Sequence, residues 1–223
     1  MKLVKGIWFP DYDTHFENVI DNEGNYQRKQ FDTVMKYIKP KNRGLFIDVG
    51  AHVGLWSRMA QKAGFINILS IEPDLQNFEC LQANLVPKND ENGFILGYNI
   101  AMSDEFEDIQ IVSDKSDNSG AKSVKNGGEI PAMKFDLIPL ELFSIIPSDR
   151  LAQNIDKTLV KIDVQGYEVK VVRGMSKFIK KYKPIIVIEQ WLNGKEDLEA
   201  THYCESLGMK ILEKVEKEVI LGW

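Results

Sequence analysis

A chain of 223 residues, 43% of them hydrophobic and 10% aromatic, is long and apolar enough to bury its own core without staples, and is not a disordered tract. Its 28 basic and 33 acidic side chains leave a net charge of −5. That excludes general nucleic-acid binding as an expectation, because such binding needs a basic footprint. No apolar run reaches the roughly 20 residues of a membrane span, and two cysteines, Cys80 and Cys204, make neither a disulfide framework nor a zinc pattern.

From the start to about Asn25 the chain is aromatic and acidic, punctuated by Pro10 and Gly24. This stretch, residues 1–25, reads as an arm or lid before a main domain of residues 26–223. It has lysines but no sustained apolar run, so a secretory signal is not expected and a cytoplasmic protein is. Tyr26 to Lys39 shows helical spacing, stopped by Pro40. Then short apolar runs alternate with helical patterns: strand Leu45–Val49, helix Leu55–Ala63, strand Ile66–Ile71, helix Asp74–Leu85 with Asp74 as its N-cap, and strand Phe94–Ala101. Asp104 to Pro131 is polar, with one strand-like piece at Ile109–Val112. Strand Leu159–Val164, helix Val169–Lys181, strand Ile185–Glu189 and helix Leu198–Leu207 follow. Two strands close the chain, Lys210–Lys214 and Glu218–Trp223.

Alternating strands and helices predict a doubly wound α/β sheet. The closing pair is joined by a turn too short for a crossover and must be antiparallel. The sheet is therefore mostly parallel with a reversed C-terminal strand, and its ligand site is expected at the carboxyl ends of the strands, where strand order reverses.

The first strand runs into Asp48-Val49-Gly50-Ala51-His52-Val53-Gly54. Gly50 permits a tight turn and close approach by a ligand, and Gly54 lets the next helix start close to the sheet. Glu72 ends the second strand 22 residues after Gly50, where an acid can accept two hydrogen bonds from a ribose diol. The G-x-G-x-x-G spacing of a nicotinamide enzyme is absent, and Asp48 would repel a phosphate. A ligand with a ribose and a cationic amine suits the loop better, S-adenosylmethionine (SAM) being one. A structural turn with a capping acid is the plainer alternative.

FIDVGAHVGLWS, IEPDLQNFECLQANL, NIAMSD, LVKIDVQGYEVKVVRGM and KPIIVIEQ, in that order, resemble the FkbM family of SAM-dependent methyltransferases. The KIDVQGYE block with its following RGM is the most specific part. The resemblance implies a class I methyltransferase Rossmann-like fold. It implies SAM as cofactor, S-adenosylhomocysteine as product, and O-methylation of a hydroxyl on a sugar, glycan or other small molecule. Charge and hydropathy add the expectation of no nucleic-acid or membrane partner. Asp163 matches a position that some methyltransferases use for magnesium, but no second carboxylate pair has a compelling spacing, so no metal is expected. By position, Asp48, Gly50, Ala51, His52 and Gly54 match the cofactor loop and Glu72 the ribose acid. Pro73, Asp74 and Asn77 lie beside it. Ala101, Met102 and Ser103 match the segment near the adenine, and Asp163 with Gln165 the methyl-transfer end. Asn118-Ser119-Gly120 resembles a polar loop of the family. His52 stands where the family more often has Asn, and Gln165 where it often has Glu.

A hydroxyl is a weak nucleophile, so a base or strong acceptor beside it helps. Asp163, His52, His15 and Glu189 are the candidates, and the sequence leaves the choice among them open. In the alternatives, Asp163 caps the following helix, Glu168 serves the helix dipole, and the arm with His15 and Asp11 is surface packing rather than a cover. A non-catalytic SAM-fold module and an NAD(P)-dependent oxidoreductase are the competing functions.

Overall fold

The computed structural model describes residues 1–22, 24–85, 93–113, 115–138, 158–192 and 195–223. The chain opens with a hairpin, β1 (Lys2–Val4) and β2 (Ile7–Phe9), then a one-turn helix α1 (Phe16–Val19) and helix α2 (Arg28–Met35). The main sheet starts with β3 (Leu45–Val49), α3 (Leu55–Ala63), β4 (Asn67–Ile71), α4 (Leu75–Asn84) and β5 (Ile95–Tyr98). A second group of strands follows: β6 (Ala101–Met102), β7 (Glu107–Ser113), β8 (Lys122–Asn126) and β9 (Ile130–Met133). The chain returns to the main sheet with β10 (Thr158–Ile162), helices α5 (Glu168–Gly174) and α6 (Ser176–Tyr182), and β11 (Ile185–Glu189). After the short pair β12 (Trp191–Leu192) and β13 (Lys195–Glu196) come α7 (Glu199–Ser206), β14 (Lys210–Val215) and β15 (Glu218–Gly222).

Seven of these strands form one sheet in the order β14-β15-β11-β10-β3-β4-β5. Neighbours from β5 to β11 are parallel, and β15 is antiparallel to both β11 and β14. This is the parallel sheet with a single reversed strand that the alternation predicts. Every residue of β3, β4 and β10 is buried, as expected of central strands covered on both faces. Alternation sends Leu45, Ile47, Val160 and Ile162 to one face, under α5, α6 and α7. Phe46, Leu159, Val187 and Ile220 point to the other, under α2 and α3. Strand order reverses between β3 and β10, so their carboxyl ends, at Gly50 and Asp163, flank the crevice.

Four expectations shift. Phe94–Ala101 is two strands, divided at Asn99, whose side-chain amide donates to the carbonyls of Glu72 (2.9 Å) and Pro73 (3.0 Å). The polar region 104–131 holds β7, β8 and the first half of β9, which with β6 make a second, four-stranded sheet. Its strands are half exposed and bury only a few side chains, among them Ile109 and Ala132, so the apolar signal was thin. The helix expected over Val169–Lys181 breaks at Met175, because Gly174 packs on the backbone of Ser103; a Cβ there would lie 2.0 Å from the Ser103 carbonyl. Tyr26–Lys39 shortens to α2, followed by a 3-10 turn at Pro40–Asn42.

The first 20 residues pack tightly. Ile7, Phe9, Phe16 and Ile20 form a buried cluster with Val53, Leu55 and Cys80. The Trp8 backbone exchanges two hydrogen bonds with the Asn84 side chain, at 2.8 and 2.9 Å. Cys80 and Cys204 are both buried and unpaired. No helix among the described residues is long and apolar enough to cross a membrane.

Candidate active site

A cavity of about 390 Å³ opens over the carboxyl ends of β3, β4, β10 and β11. The β3–α3 loop forms its floor. Gly50 and Ala51 both donate their amide N–H to the Ile71 carbonyl at 3.0 Å, Gly54 donates to Ala51 at 2.8 Å, and His52 donates to Glu72 Oε2 at 2.7 Å. These amides are therefore occupied, three by the end of β4 and one within the loop, and do not form a phosphate cradle. Gly50 (φ +78°) has a different reason to be glycine than ligand approach: a Cβ would lie 1.9 Å from the Asp163 carbonyl. It lets two strand ends meet at the switch point. Gly54 (φ +86°) lies off the cavity and seats α3 against Leu81 of α4, 2.6 Å from where a Cβ would stand.

The lining is rich in acceptors. Glu72 is 6% exposed and takes one backbone N–H on each oxygen, from His52 and from Asp74 (3.0 Å), which leaves each a further lone pair. Burial lifts its pKa to about 7. Asp48, wholly buried, accepts from Ser57 Oγ at 2.6 Å through Oδ2 while Oδ1 has no hydrogen-bond partner among the described residues. Asn77 donates to the Ser119 carbonyl at 3.1 Å, and its own oxygen likewise has no partner among the described residues. Pro73, Ala101 and Met102 line the wall. Ser103 does not; it is fully buried and its hydroxyl bonds Glu107. Asp74 also lies off the cavity: it caps α4 through Asn77 N–H (3.0 Å) and pairs with Lys122.

The methyl-transfer end expected around Asp163 is built on a residue that sequence reasoning missed. Lys161, 5% exposed, places Nζ 3.0 Å from Asp163 Oδ2 and 5.5 Å over the Trp56 ring. Burial opposes its charge, but Asp163, Asp48 and Glu189 outweigh that and raise its pKa. Burial likewise pushes Asp163 up, yet Lys161 and hydrogen bonds hold it below the usual carboxylate range. Gln165 spans two acids, its amide nitrogen 2.7 Å from Asp163 Oδ1 and 2.9 Å from Glu189 Oε2. Burial and the Asp163 charge push Glu189 up to about 9. Glu218, facing Glu189 across β11 and β15, accepts from Gln27 at 2.9 Å and is lifted to about 7 by burial. Tyr26, raised to about 12 by burial, lines the same end. The sequence did hold a signal for Lys161 and Glu218: both share the sheet face of Leu159 and Ile220, where a buried apolar row gives way to charge at the rim.

The remaining candidates divide. His15 is exposed and lines the mouth of the cavity. His52 lines the floor, its Nε2 2.6 Å from Ser119 Oγ. Asp11 pairs with the N-terminal amine at 2.9 Å, away from the cavity. Glu168 accepts the N–H groups of Val164 and Gly166, each at 3.0 Å, and so serves the β10–α5 turn, leaving Asp163 free of any capping role.

The methyltransferase FkbM domain family matches residues 48–208. Among solved structures, a methyltransferase FkbM from Methylobacillus flagellatus is 19% identical over 81% of this chain, with a TM-score of 0.50; the match spans 43% of that longer chain. A precorrin-6Y C5,15-methyltransferase from Geobacter metallireducens is 11% identical with a TM-score of 0.49, covering 97% of this chain and 99% of that one. A SAM-dependent methyltransferase from Aquifex aeolicus is 10% identical with a TM-score of 0.42, over 86% and 88% of the two chains. No curated protein matches.

Proposed function

The chain belongs to the FkbM methyltransferase family, and from that premise we propose that it transfers the methyl group of SAM to a hydroxyl oxygen of a sugar, glycan or other small molecule. The observation that carries this reading is the donor and acceptor balance of the cavity. The glycine-loop amides are occupied by Ile71, Glu72 and Ala51, while Glu72, Asp48 Oδ1 and Asn77 Oδ1 offer unfilled acceptor capacity. Such a wall suits a ribose diol and an ammonium, and it does not suit a pyrophosphate. Glu72 would hold the diol, Asp48 the ammonium, and Ala101 and Met102 the flank of the base. The cofactor supplies an electrophilic methyl group on a sulfonium.

The chain's own residues do the rest. Asp163, kept ionised by Lys161, accepts a hydrogen bond from the attacking hydroxyl and takes its proton as the new C–O bond forms. Glu189, still protonated at neutral pH, donates to the hydroxyl oxygen and fixes its direction. Holding the oxygen in line with the methyl carbon supplies much of the acceleration. Gln165 donates to both carboxyl groups, which also bond each other, and adds no third acid. Residues 1–25 act as an arm that walls the mouth of the site, with His15 at the rim. The acidic lining and the net charge of −5 favour a neutral polyol over a polyanionic nucleic acid.

Thermal unfolding with SAM, S-adenosylhomocysteine, NAD and NADP tests the cofactor. A ligand at 100 times its dissociation constant adds about 2.7 kcal/mol, a shift of roughly 5 °C or more for a chain this size. Stabilisation by the first two alone is expected. A shift with NAD or NADP, or with none, overturns the reading. Release of S-adenosylhomocysteine on incubation with a panel of saccharides and other polyols then tests the acceptor; transfer only to nitrogen or carbon acceptors overturns the hydroxyl assignment.

A further inference from the structure

Three segments remote in sequence meet at His52. Asp13, in the N-terminal arm, is wholly buried. Its Oδ1 accepts the Phe16 N–H at 2.9 Å. Its Oδ2 accepts both the backbone N–H of Ser119, at 2.8 Å, and the Ser119 hydroxyl. Ser119, 1% exposed between β7 and β8, is also held by Asn77 through its carbonyl. Its Oγ then meets His52 Nε2 at 2.6 Å. The Phe16 ring covers the imidazole, centroid to centroid 4.7 Å.

With Asp13 ionised, the proton count has one consistent solution. Asp13 receives three donors and gives none, which is the pattern of a carboxylate. The single Ser119 hydroxyl proton is directed at Asp13, so Ser119 Oγ has only lone pairs left for His52. The imidazole must therefore be the donor at Nε2. In a neutral ring that makes Nδ1 the acceptor, and Nδ1 makes no hydrogen bond among the described residues. Ser119 is not an activated nucleophile here, because its proton goes to Asp13 rather than to the ring.

We propose that Asp13, Ser119 and His52 form a hydrogen-bonded relay that ties the arm and the β7–β8 connection to the glycine loop and locks His52 as the Nε2–H tautomer, leaving Nδ1 as the fixed acceptor of a ring that lines the cavity. His52 then orients a donor group of the bound ligand, and the proton of the acceptor hydroxyl goes elsewhere. Only the identity of that ligand, a nucleoside with hydroxyl and ammonium donors, rests on the function proposed above. The neutral state accords with the surroundings. Burial is the main influence and lowers the ring's pKa to about 4, with Asp13 and Asp163 opposing and Lys122 and Lys161 reinforcing it. Glu72 of β4 accepts the backbone N–H of the same residue.

The relay is read without any cofactor. The chain has three histidines, His15, His52 and His202. Imidazole ¹⁵N spectra of the full chain, assigned by comparison with His15→Gln and His202→Gln, report the protonation of each ring nitrogen. The expected result is a His52 ring protonated at Nε2 and bare at Nδ1 from pH 8 to pH 5, with no titration between. A ring carrying its proton on Nδ1, or titrating near pH 6.5, overturns the inference in the wild-type protein alone. Ser119→Ala should release the lock and mix the two tautomers; an unchanged spectrum in a folded variant also overturns it. Calorimetry with S-adenosylhomocysteine adds the binding arm. Affinity should fall about tenfold in Ser119→Ala and recover in Ser119→Thr if that variant restores the tautomer. Equal affinity in wild type and alanine variant sinks the orienting role. Absent wild-type binding instead sinks the cofactor reading and leaves the tautomer result standing.

Discussion

Lys161 Nζ lies 3.0 Å from Asp163 Oδ2, two residues on and just past the end of β10. Both side chains stand on the sheet face that carries Leu159, so a buried ammonium ends an apolar row and faces the first carboxylate of the crevice. Lys161→Met keeps the length of the stem and removes the charge. Asp163 and Asp48 then lose their counter-ion, and breaking a buried pair from one side costs about 3–5 kcal/mol. The sign with pH follows. In the wild type the depressed pKa of Asp163 adds stability above its unfolded value, lost only as pH falls through the folded one. Without Lys161 that carboxyl is pushed up by burial, so the variant should be more stable at pH 5 than at pH 8. Urea unfolding at the two pH values checks this; equal losses at both would refute the pairing argument. Lys161→Met combined with Asp163→Asn should recover much of the stability.

Glu189 has the opposite linkage. Its folded pKa of about 9 exceeds the ordinary 4.5. Between those values the folded chain holds a proton that the unfolded chain has released. That contribution is complete below pH 4.5 and fades as pH climbs towards 9. The melting temperature of the ligand-free protein should therefore fall between pH 6 and pH 9. Glu189→Gln, which cannot ionise, should flatten that slope and melt several degrees higher at pH 9. A variant with the wild-type slope would place the responsible proton elsewhere, Glu218 being the next group to test. The glutamine amide still donates, so a donor role for Glu189 predicts that the same variant keeps most of its turnover at pH 7.

The parallel sheet was legible because β3, β4, β10 and β11 are short apolar runs set between helical patterns, and the loop after β3 because glycines and acids have few other uses there. The β6–β9 sheet was hidden by its polar, half-exposed strands. Lys161 was hidden for a different reason. A strand buried on both faces reads as a continuous apolar run, and a single lysine within it looks like an interruption until the neighbouring strands bring Asp48 and Glu189 to it. The Asp13–Ser119–His52 contact spans 106 residues between Asp13 and Ser119, a separation that no local pattern encodes.

Gly50→Ala is a test of packing rather than of ligand access. The residue sits at φ +78° and a Cβ would lie 1.9 Å from the Asp163 carbonyl, a backbone atom that cannot swing aside. Strain at a positive φ alone costs about 1–3 kcal/mol, and parting the two strand ends adds to it. The variant should lose stability in denaturant titrations even without ligand, alongside any loss of cofactor binding. A variant as stable as wild type that still fails to bind S-adenosylhomocysteine would instead favour direct ligand contact at this position.

Glu72 links pH to cofactor affinity. Its two oxygens hold the N–H groups of His52 and Asp74, and a ribose diol would take the lone pairs that remain. A diol donates, so it prefers the ionised carboxylate, while burial lifts the Glu72 pKa to about 7. Binding of S-adenosylhomocysteine should therefore tighten as pH rises from 6 to 8, by up to about tenfold per unit below the pKa. Glu72→Gln cannot ionise, and its amide nitrogen would set a donor against one of the two backbone donors. Hydrogen bonds to a charged acceptor are worth about 1.5–3 kcal/mol, so affinity should drop roughly tenfold to a hundredfold and lose its dependence on pH. Calorimetry of both proteins at pH 6, 7 and 8 separates the cases. A wild-type affinity that stays flat, or a glutamine variant that keeps the wild-type slope, would move the ribose contact away from Glu72.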